Sequence, residues 1–151
     1  MKKTAPSRRA LRNRKTDQLV DALLAVAHRL QARLEESLQG VGLSGPKYWL
    51  LQQLSESHQP VVLSQLAAGQ KCAASNITQL VDRLEADGLV RRVDDPSDRR
   101  SKRAELTALG WERQAAGARQ IAEVHSVFLG ALSEADRTAL ERGLGAIGHQ
   151  T

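Results

Sequence analysis

The chain has 151 residues, 41% of them hydrophobic and 26% charged, enough for one domain with a real apolar core. No apolar run approaches the roughly 18–20 residues that span a bilayer, and the basic start MKKTAPSRRALRNRK has no apolar segment to make a secretory signal. A net charge of +5 favours an anionic partner, and the lone Cys72 excludes an internal disulfide and suits a reducing cytoplasm.

Residues 1–16 are expected to form a basic tail, since seven Lys or Arg residues and no acid lie between Met1 and Lys15. Such a stretch is either a frayed solvated end or an arm that touches phosphate without reading sequence. From Asp17 to Leu38 the residues Leu19, Leu23, Val26, Ala27, Leu30 and Leu34 recur at the helical period. They predict a long amphipathic helix whose stripe needs another surface to cover it. Gly40 and Gly42 end this segment, 17–42. Ser44 is placed to cap the next helix, with Pro46 in its first turn. Tyr48, Leu51 and Leu54 give that helix its inward stripe, with Trp49 beside it. Tyr48 and Trp49, with His28 on the first helix, are candidate ligand contacts because such side chains offer area and a polar handle. The commoner role for the two aromatics is core. Val61-Val62-Leu63 predicts a short strand.

The stretch Ser64–Gly110 is the most informative. A short helix capped by Ser64 runs to Gly69, and a bend follows through Gln70, Lys71 and Cys72. A second helix covers Ala74–Asp87, with Ile77, Leu80, Val81 and Leu84 on one face, and stops at Gly88. Ala73 has no capping oxygen, which leaves Ser75 to cap a later start. Two strand-like runs, Leu89–Val93 and Lys102–Thr107, flank the turn-rich DDPSDRR. Helix, turn, amphipathic helix and basic hairpin make a winged helix-turn-helix, here 43–107, in a mainly α chain whose β structure is the wing.

In such a head the early part of the second helix faces base edges in the major groove. Ala74, Ser75, Asn76, Thr78 and Gln79 stand there. Asn and Gln can take adenine with two bonds, and Ala74 or the Thr78 methyl can meet a thymine methyl. The alternative for Asn76 and Gln79 is solvated surface. Arg83, one turn on, is better placed for phosphate, as are Lys102 and Arg103 behind the wing. In the wing itself, Asp94, Asp95 and Asp98 precede Arg99 and Arg100. This is either a solvated charge cluster or an arginine tip for the narrow minor groove. Cys72 is either a small buried hydrophobe or, beside Lys71, a redox thiol.

The C-terminal part, 108–151, reads as two helices. Ile121, Val124, Phe128 and Leu132 lie on a stripe of the first, Ala108–Ala131. Ser133 caps the second, which has an acidic first turn and carries Leu140, Leu144 and Ile147. These stripes fit an intramolecular bundle and a dimer interface equally well.

The run VDRLEADGLVRRVDDPSDRRSKRAELTALG resembles the signature of the MarR (multiple antibiotic resistance regulator) family of bacterial transcription factors. The resemblance lies in Asp82–Glu85, Gly88–Arg92, Asp98–Arg100 and Leu106–Gly110, and upstream in LSGPKYWLLQQL; it covers 43–110. It implies a homodimer on double-stranded DNA, held by the helices of 17–42 and 108–151. It also implies a repressor role at an inverted-repeat operator, with a small-molecule inducer. The family's Asp-x-Arg maps onto Asp98 and Arg100, giving Arg100 the minor-groove role and Asp98 the orienting one, with Arg99 fit for either.

No catalytic constellation stands beside this. The four histidines have no metal-ligand spacing with one another or with Cys72, and no Gly-rich phosphate loop, HExxH or GxSxG occurs. No enzyme activity, cofactor or metal is expected. The rival to a DNA-binding regulator is a winged-helix module for a protein partner, which would more often expose aromatics on the reading helix.

Overall fold

The computed structural model describes residues 8–70, 74–98 and 101–148, in two units that meet between Arg33 and Leu34. Helix α1 (Arg8–Gln39) runs through both. It starts well before Asp17, inside the stretch expected as a tail. In the first unit Leu19, Val20, Leu23 and Leu24 are exposed, Leu19 by 71%.

The second unit holds the core. At its start the end of α1 buries Leu38, and the chain turns through Gly42 at φ +73 so that the Leu43 amide donates back to the Leu38 carbonyl at 3.0 Å. Helix α2 (Gly45–Ser57) buries Leu50, Leu51 and Leu54. The expected Ser44 cap does not form: Ser44 is extended at the N-cap, but its side chain makes no capping bond. Pro46 in the first turn has no N–H to offer that cap, and Glu35 of α1 takes the Gly45 amide instead, on Oε2 at 3.0 Å.

Beyond α2 come β1 (Val61–Val62), α3 (Leu63–Gln70) and α4 (Ala74–Ala86). Leu63, expected in the strand, opens α3. Residues 71–73, with Cys72, lie outside the described residues. Helix α4 begins at Ala74, so Ser75 stands in its first turn and does not cap a later start. Ile77, Val81 and Leu84 are buried on its inner face, with Leu80 packed partly against them.

Strands β2 (Val90–Asp94) and β3 (Lys102–Leu106) pair antiparallel from Val90 opposite Leu106 to Asp94 opposite Lys102. Strand β1 lies on the other edge of β3, giving the order β1-β3-β2. This is the mainly α fold with a small antiparallel sheet that the pattern predicts. Helices α5 (Ala108–Gly130) and α6 (Glu134–Gly148) complete the chain, and Ser133 caps α6 by accepting the Asp136 amide at 3.2 Å.

Leu89 and Thr107, expected as strand residues, have other work where four elements meet. Helix α4 ends with Gly88 at φ +71, its amide donating to the Glu85 carbonyl at 2.9 Å and the Leu89 amide to Leu84, also at 2.9 Å. That pair of bonds satisfies carbonyls the helix would leave orphaned, and the left-handed residue suits glycine. The Thr107 amide donates to the Leu89 carbonyl at 3.1 Å, and its hydroxyl donates to the Gly88 carbonyl at 2.7 Å. The same oxygen accepts the Gly110 amide at 3.0 Å and so caps α5. A Cβ on Gly110 would stand 2.0 Å from the Leu89 carbonyl oxygen. The Leu-Thr-x-x-Gly run is thus a knot tying α5 to the end of α4.

Gly110→Ala should therefore destabilise the fold by about 1–3 kcal/mol, the usual range for overpacking, with Tm lowered by roughly 3–10 °C. Gly143→Ala on α6, with open space around its Cβ position, should leave Tm unchanged or slightly raised. Thermal unfolding followed by circular dichroism compares the two.

Candidate nucleic-acid interface

The outer face of α4 is polar because its apolar residues are spent inward. Asn76, Thr78 and Gln79 are exposed, and Arg83 follows on the same side, exposed and with no ion-pair partner among the described residues. Ala74 and Ser75 lie in the first turn; their side chains are outside the described residues.

What fixes this helix against the wing is Arg92, which the sequence places in the Gly88–Arg92 motif without assigning it a role. Arg92, on β2, pairs with both Asp82 and Glu85 of α4, and its amide donates to Glu85 Oε1 at 3.1 Å. Its guanidinium also reaches the Thr78 carbonyl at 3.5 Å. Burial opposes the charge, but the hydrogen bonds and fields of Asp82 and Glu85 outweigh it and push the Arg92 pKa up. The signal was legible: Asp82 and Glu85 are three apart and share a helix face, with an arginine just beyond the Gly88 turn.

The wing divides its charges by burial. Lys102 pairs with Asp94 directly across the strands, both exposed, and such a pair is worth little and exchanges readily for phosphate. Arg91 pairs likewise with Glu105, 2.5 Å away. Arg103, expected beside Lys102 on phosphate, is instead turned to Asp95: its Nη2 donates to Oδ1 at 3.0 Å, and its Nε sits 2.9 Å from Oδ2.

Asp95 organises the turn. Only 5% exposed, it also accepts from the Ser97 amide at 2.9 Å and the Ser97 hydroxyl at 2.6 Å. Its backbone completes the loop, the amide donating to the Ser101 carbonyl at 3.3 Å and the carbonyl accepting from the Asp98 amide at 3.3 Å. The Asp95 carboxyl is held well below the usual carboxylate range, first by Arg103 and then by Ser97. Asp98 is exposed, and its carbonyl accepts the Ser101 amide at 2.9 Å. Arg99 and Arg100, and with them the expected Asp98–Arg100 pairing, lie outside the described residues.

The candidate ligand residues fall in both units. His28 is exposed in the first unit. Tyr48 and Trp49 are half-buried against the leucine core of the second, where Tyr48 packs so closely on α5 that a Cβ on Gly117 would stand 2.6 Å from its ring. Burial first, and the Glu56 charge second, push the Tyr48 hydroxyl pKa up. The core role describes both aromatics. Among the described residues no cluster of His, Cys, Asp or Glu is placed to hold a metal ion, and no helix is long and apolar enough to cross a membrane.

These elements, in this order, recur in known proteins. Residues 43–102 match the model of the MarR family. The structure of AbsC, a MarR family transcriptional regulator from Streptomyces coelicolor, superposes with a TM-score of 0.72 over 98% of this chain and 97% of that one, at 28% identity. Residues 43–102 thus carry a MarR-family domain. The YusO protein from Bacillus subtilis shares the fold, with a TM-score of 0.78 over 92% of this chain and 98% of its own, at 20% identity. The HTH-type transcriptional regulator PrsX from Escherichia coli is 34% identical over 96 residues, 61% of this chain and 56% of that protein. The chain thus spans little more than half the length of the curated relatives it matches. MarR family members are transcription regulators and not enzymes, as the missing catalytic constellation led us to expect. The Leu106–Gly110 knot falls beyond the matched residues, as does most of β3, yet it ties down the end of α4, which lies within them.

The Asp95 lock sets a pH dependence. Its folded pKa lies below the ordinary aspartate value of 3.8, so its contribution is complete above that value and is lost as pH falls below it toward the folded pKa. Asp95→Asn should therefore unfold at lower urea than the wild type near neutral pH, with the gap closing below about pH 4. Urea titrations of both proteins across that range measure it.

Proposed function

We propose that this chain is a homodimeric, cytoplasmic transcription regulator that binds double-stranded DNA in a sequence-specific way and represses from an inverted-repeat operator until a small molecule releases it. The observation that carries the reading is the exposed Asn76, Thr78, Gln79 and Arg83 face of α4, tied through Arg92 to a basic wing. Ala74, Ser75, Asn76, Thr78 and Gln79 would meet base edges, with Asn and Gln suited to adenine. Arg83 and Lys102 would meet phosphate, at the small cost of the exposed Asp94 pair for Lys102. Arg100, steadied by Asp98, would enter the minor groove beside Arg99.

Dimerisation accounts for two uncovered stripes. Along α6, Leu140, Leu144 and Ile147 are exposed, Ile147 by 59%, and on α1 Leu19 and Leu23 are exposed as well. A second copy would cover each of them, double the +5 charge, and set two reading helices about 34–36 Å apart on successive major grooves. The protein-docking alternative finds less support, because the exposed positions of α4 carry no aromatic residue.

Selection from a random duplex pool at physiological salt should enrich an inverted repeat with two similar half-sites. Salt-sensitive binding without enrichment would mean phosphate attraction alone. Arg100→Ala should weaken the selected site by roughly 10- to 100-fold, in line with about 1–3 kcal/mol for one groove contact, while sedimentation still shows a folded dimer. Leu144→Glu should shift sedimentation toward the monomer and weaken DNA binding with it; a dimer of unchanged strength would remove α6 from the interface.

A further inference from the structure

Between the end of α2, β1, the start of α3 and Arg103 of β3 lies a cleft of about 520 Å³, within the range that small ligands fill. Val61 and Leu66 give it an apolar part, and Gln53 and Gln65 add amides. Its two charged residues are of opposite sign, and each has capacity left. Glu56 accepts from the neutral amides of Gln52 at 2.9 Å and Gln53 at 3.3 Å, and no cation pairs with it among the described residues. Arg103 has five N–H donors, yet its polar partner among the described residues is Asp95. Its Nε, though close to Asp95 Oδ2, is buried without an aligned hydrogen bond.

An unpaired carboxylate and a partly satisfied guanidinium beside an apolar wall complement a molecule with an ammonium, a carboxylate and a short apolar side chain. We propose that this cleft is an effector site for a free amino acid with an aliphatic side chain, and that filling it draws Arg103 away from Asp95 and loosens the wing. The ligand carboxylate takes the Arg103 donors and the ammonium meets Glu56. Asp95 then keeps only its Ser97 bonds, and a buried carboxylate that loses its cation is costly enough to open the turn that holds it. Effector and DNA therefore oppose each other by linkage. The site itself is independent of the DNA-binding reading; only this last step rests on it.

Leucine is the probe, with isoamylamine, which lacks the carboxylate, and 4-methylpentanoate, which lacks the ammonium, as controls. Titrated into the ¹⁵N-labelled full chain without DNA, leucine should shift the Val61, Gln65 and Ser97 amides saturably, and neither control should match it. On the selected operator, saturating leucine should raise Kd about 10-fold, a typical allosteric coupling. Glu56→Gln, which leaves the Arg103–Asp95 pair intact, should keep operator affinity without leucine and lose both leucine effects; Arg103→Gln should lose the amide shifts too. No saturable shift, or shifts that Glu56→Gln leaves unaltered, would overturn the site. Saturable binding that leaves operator Kd unchanged would overturn the coupling. If the wild type selects no operator, the DNA reading fails separately, and the Ser97 shift alone decides whether the cleft is linked to the wing.

Discussion

The second unit depends on one corner, the Gly88–Leu89 backbone, where α4 ends, β2 begins and α5 docks. Its carbonyls are claimed by Thr107, once through the amide and once through the hydroxyl. Gly110 lets the α5 backbone come closer to Leu89 than any side chain would allow. A helix end buried without partners would leave polar groups costing about 1–3 kcal/mol each. Pairing the Gly88 and Leu89 carbonyls with one residue, Thr107, ties the end of the recognition helix to the base of the wing.

From this corner outward, charge takes over from backbone bonding. Arg92 bridges β2 to the outer turn of α4, and Asp95 gathers Arg103 and Ser97 to shape the wing turn. The half-buried cations of these pairs differ from Lys102 and Arg91, which face solvent and pair across the strands with Asp94 and Glu105 at little gain in stability. Burial separates cations that hold shape from cations open to an external anion. Arg83 and Lys102 belong to the second group, and Arg92 and Arg103 to the first.

The apolar residues divide in a similar way. Leu50, Leu51, Val81 and Leu84 are wholly buried and make the head self-sufficient. The α6 leucines and the α1 stripe have the same helical spacing but no cover within their own units. Periodicity records that a face wants burial; it does not record which surface supplies it.

The sequence by itself determined much of this protein. The inner stripe of α4, the Gly88 stop, the β2–turn–β3 hairpin and the ends of α5 are local matters of period, φ and capping, and the chain states them directly. So does the likeness of residues 43–102 to the MarR family, because the motif order survives in linear form. Tertiary structure decided the rest, where partners lie far apart in the chain. Glu35 caps α2 in place of the adjacent Ser44. Thr107 and Leu89 leave the strands to serve the corner, and Arg103 turns inward although it carries the same charge as Lys102 beside it. A side chain's type limits what it can bond; only the packed neighbours decide which of those bonds is made.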